Sequence, residues 1–129
     1  MRKLSQPLII NEGGVRVEIE YRRRGSDAGL SFQVYGADRN PNAELLRFDC
    51  FQKRPHFHYL ENSRTRRIER IDKKKAPDPV RWTLERLKED LSSVLWKAGH
   101  RKLAKEIDQP ALAKALARAE KKILRLARG

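Results

Sequence analysis

The chain has 129 residues, 39% hydrophobic and 36% charged, enough for one domain with a modest core and too short for two ordinary ones. Thirty Lys and Arg against 17 Asp and Glu give a formal net charge of +13, which favours polyanionic partners, nucleic acid first. The single cysteine, Cys50, excludes an internal disulfide framework and a four-Cys zinc site, and no stretch reaches the roughly 18 apolar residues of a membrane span.

The opening MRKLSQPLII has too short an apolar piece for a signal-peptide core, and no small-residue cleavage site follows. A cytoplasmic protein with no membrane partner is expected. Leu8-Ile9-Ile10 predicts an edge strand. Val15, Val17, Ile19 and Tyr21 then alternate with Arg16, Glu18, Glu20 and Arg22, the period-two pattern of a half-buried strand. Gly13-Gly14 before it and Gly25-Ser26-Asp27 after it supply turns. Leu30, Phe32 and Val34 predict the next strand, closed by Gly36 and a loop at Asp38-Arg39-Asn40-Pro41-Asn42. Leu46, Phe48 and Cys50 predict another, and Phe57 and Tyr59 one more after Pro55. A last, weaker strand runs from Arg64 to Ile71. Successive short strands with short connections make an antiparallel meander.

The period turns helical after Pro77. Asp78 reads as an N-cap with Pro79 at the first helical position. Val80, Leu84, Leu87, Leu91, Val94, Leu95 and Ala98 share one side of a single helix that stops at Gly99. A short helical piece follows, from about His100 to Ile107. Asp108-Gln109-Pro110 opens a last helix, rich in Ala, Leu, Lys and Arg, to Arg128. The fold class is therefore α+β: a meander in residues 1–75 packed on helices in residues 76–129, in one domain. Trp82 and Trp96 lie off the apolar stripe and are expected to bury against the last helix, with a base-stacking platform as the alternative. His100 is expected to meet the terminal carbonyls of the helix before it. Cys50, between Phe48 and Phe51, reads as a packing residue.

Two basic surfaces stand out. On the last helix, Lys114, Arg118, Lys121, Arg125 and Arg128 cluster opposite Leu112, Leu116, Ala119, Ile123 and Leu126. Cations sharing a face repel one another, and a phosphate backbone relieves that repulsion with counterion release. Arg64, Arg66, Arg67 and Arg70 form a second patch that extends any phosphate track.

The sharpest feature joins Arg47 and Asp49 to His56 and His58. Residues i and i+2 of a strand share a face. If Leu46, Phe48 and Cys50 point inward, a tight hairpin with matching register brings Arg47, Asp49, His56 and His58 together on the polar face. Such a cluster has three uses. Two imidazoles can serve as general acid and base in RNA cleavage, with Arg47 stabilising the transition state and Asp49 orienting a histidine. His-x-His with Asp is also compatible with a three-ligand metal site. The third use is phosphate contact without chemistry.

The early strand pair, Arg47-x-Asp49, His56-x-His58 after Pro55 and the helix opening near Pro79 resemble the TumE-type toxin family of small prokaryotic toxin–antitoxin proteins. The resemblance covers about residues 15–95 and leaves the basic C-terminal helices outside it. It implies a toxin-like α+β domain, a neighbouring antitoxin as partner and RNA as target. The sequence thus predicts a small nucleic-acid-binding protein that contacts RNA or single strands, since it carries no motif for reading a DNA sequence. The alternatives are a metal-independent ribonuclease of toxin type, which needs no cofactor, and an accessory subunit of a ribonucleoprotein or partner-protein assembly.

Overall fold

The alternating segments become six antiparallel strands in the computed structural model, which describes residues 6–37 and 41–128. They are β1 (Leu8–Glu12), β2 (Val15–Arg24), β3 (Asp27–Gly36), β4 (Glu44–Phe51), β5 (His56–Glu61) and β6 (Arg64–Arg70). The spatial order is the sequence order, a pure meander. Of the loop expected at 38–42, residues 38–40 lie outside the described residues.

One face of the sheet carries Val15, Val17, Ile19, Leu30, Phe32, Val34, Leu46 and Phe48, all buried. Four helices cover that face: α1 (Pro79–Glu89), α2 (Leu91–Lys97), α3 (Arg101–Glu106) and α4 (Gln109–Ala127). α1 packs on β4 and α4, while α4 packs on β1, β2 and β3. Val80, Leu84, Leu87, Leu91, Leu95, Leu112, Leu116 and Ile123 complete one continuous core with the strands. Each large aliphatic side chain buried there contributes about 1.5–3 kcal/mol of transfer free energy.

The helix starts follow their predicted chemistry. Asp78 accepts from the Arg81 amide at 3.3 Å and Asp108 from the Ala111 amide at 3.1 Å. Gly13 does more than turn the chain. Its φ is +67°, and its carbonyl accepts from the Asp108 amide at 2.9 Å. A Cβ there would lie 2.6 Å from the Asp108 carbonyl oxygen, so the β1–β2 turn docks the start of α4 only without a side chain.

The single helix expected from Val80 to Ala98 is instead two. Asp90 leaves helical geometry, at φ −143° and ψ 31°. Gln109 bonds across the break: its Nε2 donates to the Leu87 and Lys88 carbonyls at 2.7 and 3.0 Å, and its Oε1 accepts from the Ser92 amide at 3.2 Å. A side chain from α4 thus satisfies the polar groups that two helix ends leave open. The apolar stripe still holds, because Leu91 and Leu95 remain fully buried.

Three other expectations change. Trp82 packs on the sheet, 6.4 Å from the Phe48 ring and 5.8 Å from Phe57, rather than on the last helix. Trp96 is 43% exposed, with Arg101 and Lys105 over its ring at 5.2 and 5.6 Å. His100 stands between α2 and α3: its amide donates to the Leu95 carbonyl of α2 at 2.9 Å, but its side chain leaves that helix end, and Nε2 meets the Leu60 carbonyl of β5 at 2.8 Å. Cys50 packs as expected, with Sγ 3.3 Å from Thr83 Oγ1. No helix among the described residues is long and apolar enough to cross a membrane.

Candidate functional site

The helices leave the second face of the sheet uncovered, and register assembles a polar cluster there. Asp49 pairs with His56 and Arg47 with His58 across β4 and β5. On the other side of β4, Ser31 pairs with Asp49 and Gln33 with Arg47. Side-chain alternation puts all six on this face. The four residues singled out in the sequence are therefore neighbours.

Asp49 is the centre. Its Oδ1 accepts from Ser31 Oγ at 2.8 Å. Its Oδ2 lies 3.3 Å from His56 Nε2, 3.3 Å from His58 Nε2 and 3.4 Å from Arg47 Nε. The two Nε2 atoms are 3.1 Å apart. Asp49, His58 and Ser31 are buried, at 5%, 8% and 0% exposure.

The outer ring atoms fix the tautomers. His56 Nδ1 sits 2.8 Å from the Arg54 carbonyl, which can only accept, so Nδ1 carries a proton. Arg47 Nη2 lies 3.4 Å from His58 Nε2 and can only donate, so that nitrogen accepts. His58 Nδ1 then donates to Thr65 Oγ1 at 3.0 Å. Both Nε2 atoms and Asp49 Oδ2 thus converge, each with a lone pair. Such a point calls for a cation, either a proton shared by His56 and Asp49 or a metal ion.

The electrostatics agree. Burial pushes the Asp49 carboxyl up, but hydrogen bonds from protonated His56 and from Ser31, with the Arg47 charge, outweigh it and hold Asp49 well below the usual carboxylate range. The hydrogen bond to Asp49 raises the His56 pKa against the opposing effect of burial. Glu44 holds Arg47 from the other side at 3.1 Å, and burial raises the Glu44 carboxyl.

The cluster forms the floor of a cleft of about 770 Å³, with Arg24, Arg47, Lys53, Arg54 and Thr65 in its walls. The first residue of β3 shapes it. Asp27 accepts from the amides of Ala28 (3.0 Å), Lys53 (2.9 Å) and Arg54 (2.9 Å), tying the β2–β3 turn to the β4–β5 loop. That tie positions the Arg54 carbonyl, and through it His56. Slight burial raises the Asp27 carboxyl, but the three amides hold it below its ordinary value.

The other predicted site residues are not part of this cleft. Lys114, Arg118, Lys121 and Arg125 form an exposed stripe on α4, as the periodicity predicted, and Arg128 stands exposed at the helix C-cap. Since α4 lies on the covered face, the stripe and the cleft occupy opposite sides of the molecule. The β6 arginines divide. Arg70 pairs with His56 on the open face, whereas Arg67 lies over the Tyr59 ring at 4.4 Å and bonds Glu69 at 2.9 Å. Arg66 pairs with Glu61, and Arg64 sits at the far hairpin turn. Alternation puts Arg67 on the face opposite Arg70, and the register shift between Tyr59 and Leu60 breaks the phase of Arg64 and Arg66, so the four do not form a single track. Ser31, Thr65, Glu44, Arg24 and Asp27 were missed as site residues. Ser31 carried a signal, because it lies between Leu30 and Phe32 on the polar phase of its strand.

The chain belongs to a family described as a domain of unknown function, DUF7700, whose model matches residues 9–123. No curated protein and no solved structure matches it. The matched span contains the whole cleft and most of α4.

Proposed function

We propose that this DUF7700 chain binds nucleic acid through the cleft on the open face of its sheet, with RNA or another single strand as the preferred partner. The observation that carries this reading is the ring of Arg24, Arg47, Lys53 and Arg54 around the two histidines in one concave site. Guanidinium groups suit phosphate oxygens, and the +13 charge steers polyanions toward the chain. A single strand can lay its phosphates into such a cleft.

The α4 stripe faces the other way, so one short strand cannot touch both surfaces. Two basic surfaces back to back favour a second reading: an accessory subunit that bridges two segments of a nucleic acid or ribonucleoprotein. The toxin-type ribonuclease has weaker support. An acid and a base acting across a phosphodiester stand on either side of it, whereas these two Nε2 atoms converge on one carboxylate oxygen.

The test is fluorescence anisotropy of a labelled single-stranded oligoribonucleotide across a salt series, with a gel run in parallel for cleavage. Replacing Arg24, Lys53 and Arg54 together by Gln should lower the salt slope by about 2, near 0.7 per lost phosphate contact. Replacing Lys114, Arg118, Lys121 and Arg125 by Gln measures the α4 stripe separately. A slope unchanged by the cleft variant would refute this assignment. Cleavage lost in His56→Ala would restore the ribonuclease reading.

A further inference from the structure

We propose that Asp49, His56 and His58 form a site for one first-row transition-metal dication, bound through both Nε2 atoms and one Asp49 carboxylate oxygen. The three atoms lie 3.1–3.3 Å from one another. A cation about 2.1 Å from each, the usual length for zinc bound to imidazole or carboxylate, would subtend angles of about 95–104°. Those angles lie between octahedral and tetrahedral values. The three ligands occupy one side of the ion, and the remaining positions open to the cleft. Two imidazoles and a carboxylate select zinc, iron(II), cobalt(II) or manganese(II) over calcium or magnesium.

The supporting contacts are those a metal site needs. Each histidine has its Nδ1 engaged elsewhere, on the Arg54 carbonyl at 2.8 Å and Thr65 Oγ1 at 3.0 Å, so each turns its Nε2 toward Asp49. Ser31 fixes the other Asp49 oxygen at 2.8 Å. The ligands sit on two paired strands, and Asp27 holds the loop between those strands. This is a rigid mount, and it exists without nucleic acid, so the inference does not rest on the preceding reading. Arg47 opposes the metal most directly among the cleft cations, 3.4 Å from both Asp49 Oδ2 and His58 Nε2. Glu44 offsets its charge from 3.1 Å. Arg47 therefore competes with the metal, and Arg47→Gln should tighten metal binding while weakening phosphate contact.

The experiment titrates the full chain, stripped with chelator and dialysed, with cobalt(II) and then zinc, read by visible absorbance and calorimetry. One site per chain is expected. Asp49→Asn, His56→Gln and His58→Gln should each weaken it more than 100-fold, and Ser31→Ala about 10-fold, the scale for a residue that orients a ligand. His100→Gln should leave it unchanged. Circular dichroism and a urea midpoint on each variant separate lost binding from lost fold. A readout on the native chain needs no variant: cobalt(II) should shift or broaden the imidazole resonances of two histidines and spare His100. No saturable binding up to about 1 mM, the threshold of weak association, or equal broadening of all three histidines, would overturn the proposal. Oligoribonucleotide affinity measured in chelator tests the cleft cations alone. Retained RNA affinity without cobalt binding sinks only the metal site, and the converse sinks only the nucleic-acid reading.

Discussion

Asp27→Ala removes one carboxylate that holds two turns together. Three amides donate to it, from Ala28, Lys53 and Arg54, at 2.9–3.0 Å. The arrangement is chemically that of a helix N-cap, where loss of the acceptor costs about 0.5–2 kcal/mol. Lys53 and Arg54 are exposed, so water can take over their freed amides, and the full penalty of a buried unsatisfied donor does not apply. Three bonds rather than one place the expected loss in the upper half of that range, about 1–2 kcal/mol. For a chain of this size that lowers the melting temperature by roughly 4–8 °C. Asp27→Asn should fall between, because its amide nitrogen can no longer accept from one of the three donors. The carboxyl is held below its ordinary value, so its contribution is present above about pH 3.9 and fades as pH falls through the folded value. The difference between wild type and variant should shrink accordingly in acid. Thermal melts give the magnitude, and amide hydrogen exchange gives the place: protection should drop at Lys53 and Arg54 and hold in β3 and β4. Unchanged exchange at both amides, with stability within about 0.5 kcal/mol of wild type, would refute the idea that this carboxylate positions the loop behind His56.

Three further outcomes follow from the core and the buried ionisable groups. Leu87 is fully buried between sheet and helices, and Leu87→Ala should cost about 2–5 kcal/mol in urea unfolding; under about 0.5 kcal/mol would contradict the packing. In chelator, the depressed Asp49 carboxyl contributes stability above about pH 3.9 that is lost toward acid, and the raised His56 contributes stability below about pH 6.5 that is lost as pH rises through its folded value. The pair therefore stabilises most between those limits, and Asp49→Asn should flatten both limbs of the urea-midpoint profile; an unaltered profile would break the ion-pair assignment. Burial pushes the Cys50 thiol up to about 12, so iodoacetamide at pH 8 should label it only as fast as the chain unfolds, and rapid labelling of the native chain would show that β4 is open.

The strands, the helix starts and the core side of each element could be read from the sequence, because they depend on local stereochemistry. Period-two alternation in Val15, Val17 and Ile19, and the caps Asp78 and Asp108, do not depend on distant residues. The meeting of Arg47, Asp49, His56 and His58 was nearly as legible. A short connection forces β4 and β5 to pair, and alternation then leaves only the register to settle. What the sequence could not settle is contact between residues far apart in the chain. Gln109 reaches back across the break at Asp90, a bond that exists only once α4 lies against α1. Ser31 and Asp27 reach the site from β3, and Thr65 reaches it from β6. The same placement of α4 on the apolar side of the sheet sends its basic stripe away from the histidines. Local pattern fixes which side of each element is polar, but the direction each polar side faces follows from how the elements stack to bury one common core.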